Sequence, residues 1–201
     1  MLEASLTLAV TAFLLLGSPE PVPVALAATG ATFGFKKSYN FLIGIVLGIA
    51  VVIFATFLGL STVFENYPSL ALGLQILSAI YIMFIAYKIA TASSVIGKSE
   101  GQAPGFKIGF FLNLINPKAY AAMLALIAQY SVTGDNSLQS LLIACVIIFM
   151  VAVIVDCGWL LLGHMIKPLF NHPKYQHWLR YTFALSLISL AIYNLIKVLF
   201  L

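Results

Sequence analysis

The sequence predicts an all-α membrane protein of six transmembrane helices, arranged as two inverted three-helix halves, with helices 1 and 4 interrupted by proline. Three observations predict it. Hydrophobic residues make up 62% of the 201 positions and charged residues 8%, whereas a soluble chain carries roughly a quarter charged and about half apolar. At about 20 apolar residues per bilayer crossing, this content fills about six spans. Proline clusters beside a charge recur once in each half, at Pro19 and at Pro117. The chain is therefore read as one transmembrane domain, 1–201, with halves at about 1–98 and 99–201. So little mass lies outside the bilayer that soluble catalytic and nucleic-acid-binding domains are excluded, and no enzyme activity is expected.

The first apolar run, about 4–33, carries Glu3 where a cleaved signal sequence would be basic, so it is expected to be a retained helix. Ser18-Pro19-Glu20-Pro21-Val22-Pro23 interrupts it. Each proline removes a backbone donor and clashes with the carbonyl a turn earlier, so three in five residues must unwind the helix locally. Lys36-Lys37-Ser38 precedes the second run, about 40–62, and Glu65-Asn66-Tyr67-Pro68 precedes the third, about 69–91. The longest polar stretch, Ser93 to Lys107, splits the chain nearly in half. The fourth run, about 108–131, is broken at Asn116-Pro117-Lys118. Thr133-Gly134-Asp135-Asn136 leads into the fifth, about 138–163, and the stretch from His164 to His177 leads into the sixth, about 179–200.

Basic residues set the expected orientation. Lys36 and Lys37, then Lys88, Lys98 and Lys107, then Lys167, Lys174 and Arg180 fall at alternate connections, while the other two carry only Glu65 and Asp135. Lys and Arg accumulate on the cytoplasmic side, so both termini are expected outside. Lys197 dissents and can snorkel to the outer surface. Trp159 and Trp178 flank the fifth connection, where an interfacial aromatic belt is expected. Three spans before the central stretch and three after it have opposite orientations, as in the inverted repeats of secondary transporters.

Three charges cannot be assigned to connections: Glu20, Lys118 and Asp156 stand inside apolar runs. A charge at the bilayer centre costs at least about 2.5–3.5 kcal/mol, so each needs a cavity or a partner. The plain structural alternative is an ion pair of Lys118 with Glu20 or with Asp156. Unwound backbone at membrane depth must line protein or a water-filled cavity. There it offers carbonyls on one side of the break and helix N-terminal amides on the other. Carbonyls and Glu20 suit an ammonium group. Amides, Asn113, Asn116 and Lys118 suit a carboxylate. A site with both suits a zwitterion.

Gly30 with Gly34, Gly44 with Gly48, and Gly105 with Gly109 are each four apart, a spacing that lets helices approach closely. Gly44 and Gly48 are expected to pack the second span against the broken first. Cys145 and Cys157 stand about 18 Å apart along one helix and cannot bridge each other. His164, His172 and His177, even with Asp156 and Cys157 nearby, match no metal-ligand spacing. No metal and no cofactor is expected.

At this point the residues resemble a family. Pro19-Glu20-Pro21, Gly34-Phe35-Lys36-Lys37, Gly44, Gly48 and Gly59-Leu60 are similar to the N-terminal signature of the LysE/RhtB amino-acid exporters. Ala79-Ile80-Tyr81-Ile82 through Ala86-Tyr87-Lys88 resembles that family's third helix. Phe106-Lys107-Ile108-Gly109-Phe110, Asn113, Asn116-Pro117-Lys118-Ala119 and Gln129-Tyr130 resemble its fourth. Motifs are in register over about 1–131, and the remainder agrees in length and hydropathy. One departure is Glu20, where the family usually has the glycine of Pro-Gly-Pro; it bears on the substrate, favouring a cationic one or a proton step.

The resemblance implies a secondary transporter of the bacterial inner membrane that exports amino acids or similar small metabolites by proton exchange. Pro19, Glu20, Pro21, Asn113, Asn116, Pro117 and Lys118 are the candidate substrate-binding residues, and Glu20 and Asp156 the candidate ion-coupling ones. The expected partners are the substrate, a proton, the lipid bilayer and a second copy in a homodimer. A metal-cation exporter is the alternative, opposed by Lys118. A thiol–disulfide carrier would need a cysteine beside each proline break, and both cysteines lie on the fifth span.

Overall fold

The computed structural model describes residues 2–59, 66–91, 102–133, 138–170 and 176–200, and among them all regular structure is helical. The helices are α1 (Leu2–Leu16), α2 (Pro21–Phe33), α3 (Phe35–Phe57), α4 (Pro68–Ala90), α5 (Phe106–Leu114), α6 (Pro117–Thr133), α7 (Leu138–Phe170) and α8 (Gln176–Phe200). Among the described residues, three stretches are long and apolar enough to cross a membrane: Phe35–Phe57, Leu72–Ala90 and Leu138–Pro168. The number rises to five if α1 with α2, bent by 66°, and α5 with α6, bent by 62°, each count as one broken span.

Both bends fall at the proline clusters, for a reason the helices make plain. Proline fits the first position of a helix, where its missing N–H would be unsatisfied anyway. Pro21 opens α2 and Pro117 opens α6. The corresponding residues of the two breaks are therefore Pro21 and Pro117, with Glu20 and Asn116 before them, rather than the expected Pro19 and Pro117. Each break also carries a hydroxyl that satisfies a carbonyl: Ser18 Oγ donates to Leu15 O at 2.8 Å, and Tyr120 OH to Leu114 O at 3.2 Å.

Packing crosses between the halves. α2 lies chiefly on α7, and α5 lies chiefly on α3. Every residue of α2 except Thr32 is buried, whereas α1 buries only Ala4, Leu8 and Ala12. A Cβ on Gly163 would collide with the Ala27 backbone, and one on Gly30 with the Leu160 carbonyl, so α2 and α7 touch backbone to backbone. Gly44, Gly48 and Gly109 form the equivalent contact between α3 and α5, against Phe106, Phe110, Phe41 and Ile45. This corrects the expectation that Gly44 and Gly48 face the broken first span. A small-xxx-small pair announces a close approach but not its partner.

The buried side chains form two cores. One gathers Leu26, Phe41, Ile45, Ile85, Leu112, Leu160 and Leu187 from α2, α3, α4, α5, α7 and α8. The other gathers Leu8, Ile49, Met123, Leu126, Tyr130 and Ile148 from α1, α3, α6 and α7. The two arms of each bent pair thus belong to different cores, and the breaks lie where one core gives way to the other.

Two boundaries differ from expectation. The connection read around Lys36 and Lys37 is a one-residue corner: Gly34, at φ 84, turns the chain alone, and both lysines lie exposed on the first turn of α3. A positive φ is open to glycine without a Cβ penalty. Ser38 Oγ fastens the corner by donating to Gly34 O at 2.8 Å and Thr29 O at 3.2 Å. At the other end, α7 runs past the expected 163 to Phe170. On this extension Lys167 Nζ donates to Phe33 O at 3.0 Å and so offsets the negative end of α2. Glu65, Lys98, Asp135, His172 and Lys174, on which much of the expected sidedness rests, lie outside the described residues, as does the Lys197 side chain.

Candidate functional site

The two breaks meet. Glu20 precedes a proline, which biases it to extended backbone (φ −110, ψ 170), and its side chain makes no cap to α2. Its Oε1 lies instead 2.8 Å from Lys118 Nζ, with the two side chains 30% and 45% exposed, respectively. Of the two ion pairs open to Lys118, the fold makes the one with Glu20. The pair ties the start of α2 to the first turn of α6.

Asn116 caps α6. Its Oδ1 accepts the Lys118 N–H at 3.2 Å and its backbone carbonyl accepts the Ala119 N–H at 3.0 Å. With Pro117 lacking an N–H, the leading amides of α6 are used, and at α2 Pro21 and Pro23 lack theirs. Asn113 Nδ2 donates to Ile45 O at 2.9 Å. The Lys118 and Ala119 amides and the Asn113 side-chain amide are thus occupied, and Pro21 and Pro23 offer none. The side-chain donors that remain to face an anion are the Lys118 ammonium and the Asn116 Nδ2.

A cavity of about 60 Å³ opens at this junction, lined by Glu20, Asn113, Asn116, Lys118 and Asp156 among apolar groups such as Met123 and Ala152. That volume holds a few waters. Asp156 reaches it from α7. It is 8% exposed, and among the described residues its carboxylate has no hydrogen-bond or ion-pair partner. A second, smaller cavity of about 20 Å³ shares Asn116 and Lys118 and is completed by Pro21, Gln75, Ser78, Ala79, Ile82 and Ala191. Glu20, Asn113, Asn116, Lys118 and Asp156 are therefore brought to the first cavity, and Pro21 to the second. Pro19 is exposed, Pro117 is buried in the first turn of α6, and neither lines either of these two cavities. Sequence reasoning missed Gln75, Ser78 and Ala191, whose only signal was two uncharged polar residues inside an apolar run.

Among the described residues, no group of three or more His, Cys, Asp or Glu could hold a metal ion. His164 Nδ1 accepts the Phe35 N–H at 3.4 Å, at the corner next to Gly34.

The profile of the LysE type translocator family matches residues 13–198. The chain belongs to that family. Similar proteins include the cysteine/O-acetylserine efflux protein of Salmonella typhi, 23% identical over 175 residues that cover 87% of this chain and 89% of the relative. The leucine efflux protein of Klebsiella pneumoniae subsp. pneumoniae is 29% identical over 133 residues, 62% of each chain. The cysteine/O-acetylserine efflux protein of Escherichia coli O139:H28 is 24% identical over 176 residues, 87% of this chain and 89% of the relative. No solved structure matches with significance. This LysE type translocator is thus a multi-pass membrane transporter and not an enzyme, and the metal-cation alternative is not favoured.

Proposed function

We propose that the chain exports an amino acid or a similarly small zwitterion across the bacterial inner membrane in exchange for protons. The observation that carries this reading is the first cavity, where one free acid, Asp156, faces a Glu20–Lys118 pair at the meeting of two helix breaks. A substrate ammonium would bind Asp156, and its carboxylate would bind Lys118 and Asn116. Proton and ammonium compete for one carboxylate, since Asp156 accepts either but not both. Competition of this kind couples the two fluxes: the acid carries a proton in one direction and the amine in the other. Glu20 competes with the substrate carboxylate for Lys118, so it tunes affinity. The cysteine, O-acetylserine and leucine named for the relatives are all zwitterions of this size.

Alternating access is assigned to six spans in two inverted halves, α8 supplying the sixth, with both termini periplasmic. The crosswise packing of each bent pair on the long helix of the other half supports that arrangement.

The test is the purified chain in vesicles loaded with radiolabelled cysteine, serine or leucine. A pH gradient should drive amino acid movement opposite to the proton. Asp156→Asn should lose the gradient dependence. A wild-type chain that moves none of these, with or without the gradient, would overturn the reading.

A further inference from the structure

The second cavity shares Asn116 and Lys118 with the first but is lined by neither Glu20 nor Asp156. Its floor comes from α4 and α8, two helices that contribute nothing to the first cavity. Asn116 and Lys118 line both spaces, so a carboxylate held there leaves the rest of a small molecule free to reach either side. The two sides differ in chemistry. The first offers a carboxylate. The second offers no charge of its own beyond the shared lysine, but a hydroxyl, an amide and small apolar groups: Ser78, Gln75, Ala79 and Ala191. Ser78 is 5% exposed, and among the described residues its hydroxyl has no partner. That hydroxyl is not among the fully buried atoms left unpaired, so it is open to the cavity that Ser78 lines. Ala79 and Ala191 are 6% and 2% exposed, so the walls are closely packed and the pocket is narrow.

We infer that the α4–α8 pocket around Ser78 receives the substrate side chain and sets the specificity of transport. The substrate then reaches from one cavity into the other, past the residues that line both. Its ammonium is on Asp156, its carboxylate on Lys118 and Asn116, and its side chain against Ser78. Room for about one water favours a side chain of one or two heavy atoms, and the hydroxyl favours one ending in a hydroxyl or thiol. The preferred class is short, uncharged and polar: serine and cysteine ahead of alanine, and alanine ahead of leucine. Ser78 hydrogen-bonds the side chain, and Ala191 limits its length. This assignment rests on the exporter reading and adds to it residues on two helices outside the first cavity.

The experiment is counterflow by the purified full-length chain in vesicles, with glycine, alanine, serine, cysteine and leucine as competing substrates and thermal unfolding measured alongside. Ser78→Ala should lower the affinity for serine and cysteine relative to alanine on the order of fivefold. Ala191→Gly should lengthen the pocket and raise leucine relative to alanine. Ratios unmoved in both variants, while the wild-type chain transports, would overturn the pocket assignment alone. A wild-type preference for leucine over serine would overturn it too. Failure of the wild-type chain to exchange any of the five would overturn the exporter reading and this one with it.

Discussion

Lys118 Nζ and Glu20 Oε1, 98 residues apart in the chain, lie 2.8 Å from each other and join the two helix breaks. The pair is only partly buried, and exposed pairs contribute about 0.2–1 kcal/mol. Glu20→Gln should therefore lower stability by less than about 1 kcal/mol, where loss of one partner of a fully buried pair would cost roughly 3–5 kcal/mol. Thermal unfolding of the detergent-purified variant checks this. A midpoint lowered to the fully buried extent would show that the pair holds the fold together. The transport consequence is separate: with its competitor for Lys118 removed, the substrate carboxylate should bind more tightly.

Asp156 behaves oppositely. A buried carboxylate without a partner destabilises, so Asp156→Asn should leave the unfolding midpoint unchanged or raise it. The same variant should lose pH-gradient-driven transport. A stabilised chain without coupling is the expected combination. A destabilised one would mean that Asp156 has a structural partner.

Gly163 and Gly109 seat the two backbone contacts, and a Cβ at either would meet the opposing chain. Gly163→Val and Gly109→Val should each cost on the order of 1–3 kcal/mol, the range for overpacking. Gly158→Ala and Gly73→Ala are the controls, because nothing lies within 4 Å of a Cβ at either position. Unfolding of the four variants side by side tests the contact. Equal stability across them would remove it.

Gly34→Ala should destabilise by about 1 kcal/mol or more, since its φ of 84 is unfavourable for a residue with a Cβ. Its new methyl would also lie 2.6 Å from Lys167 Nζ and push that ammonium off Phe33 O. Comparison with Lys167→Met by thermal unfolding separates backbone strain from loss of the hydrogen bond.

Much of this architecture is legible in the sequence because hydropathy and proline act locally. Apolar runs are helices wherever backbone groups have no water to bond, and Pro21 and Pro117 mark helix starts by removing donors the first turn does not use. The anomalous charges at 20, 118 and 156 also announce themselves, since each stands where the bilayer penalises it. Choices among partners are not local. Nothing in the spacing says that Gly44 meets Phe106 rather than α2, or that Lys118 takes Glu20 and leaves Asp156 alone. The corner at Gly34 was hidden by its lysines, which read as a loop although they extend a helix into water. Ser78 was hidden by having no charge, so an apolar run absorbs it without a trace.

The seam between the two cores has a mechanical meaning. A protein with one continuous interior must loosen all of it to let a solute through. Here the first cavity sits between two separately packed clusters, with Val22 from one and Ile49, Met123 and Ala152 from the other on its walls. On the proposed export cycle, one cluster loosens while the other stays packed. The barrier to leakage and the barrier to passage then fall to different sets of side chains, and the two can be altered one at a time.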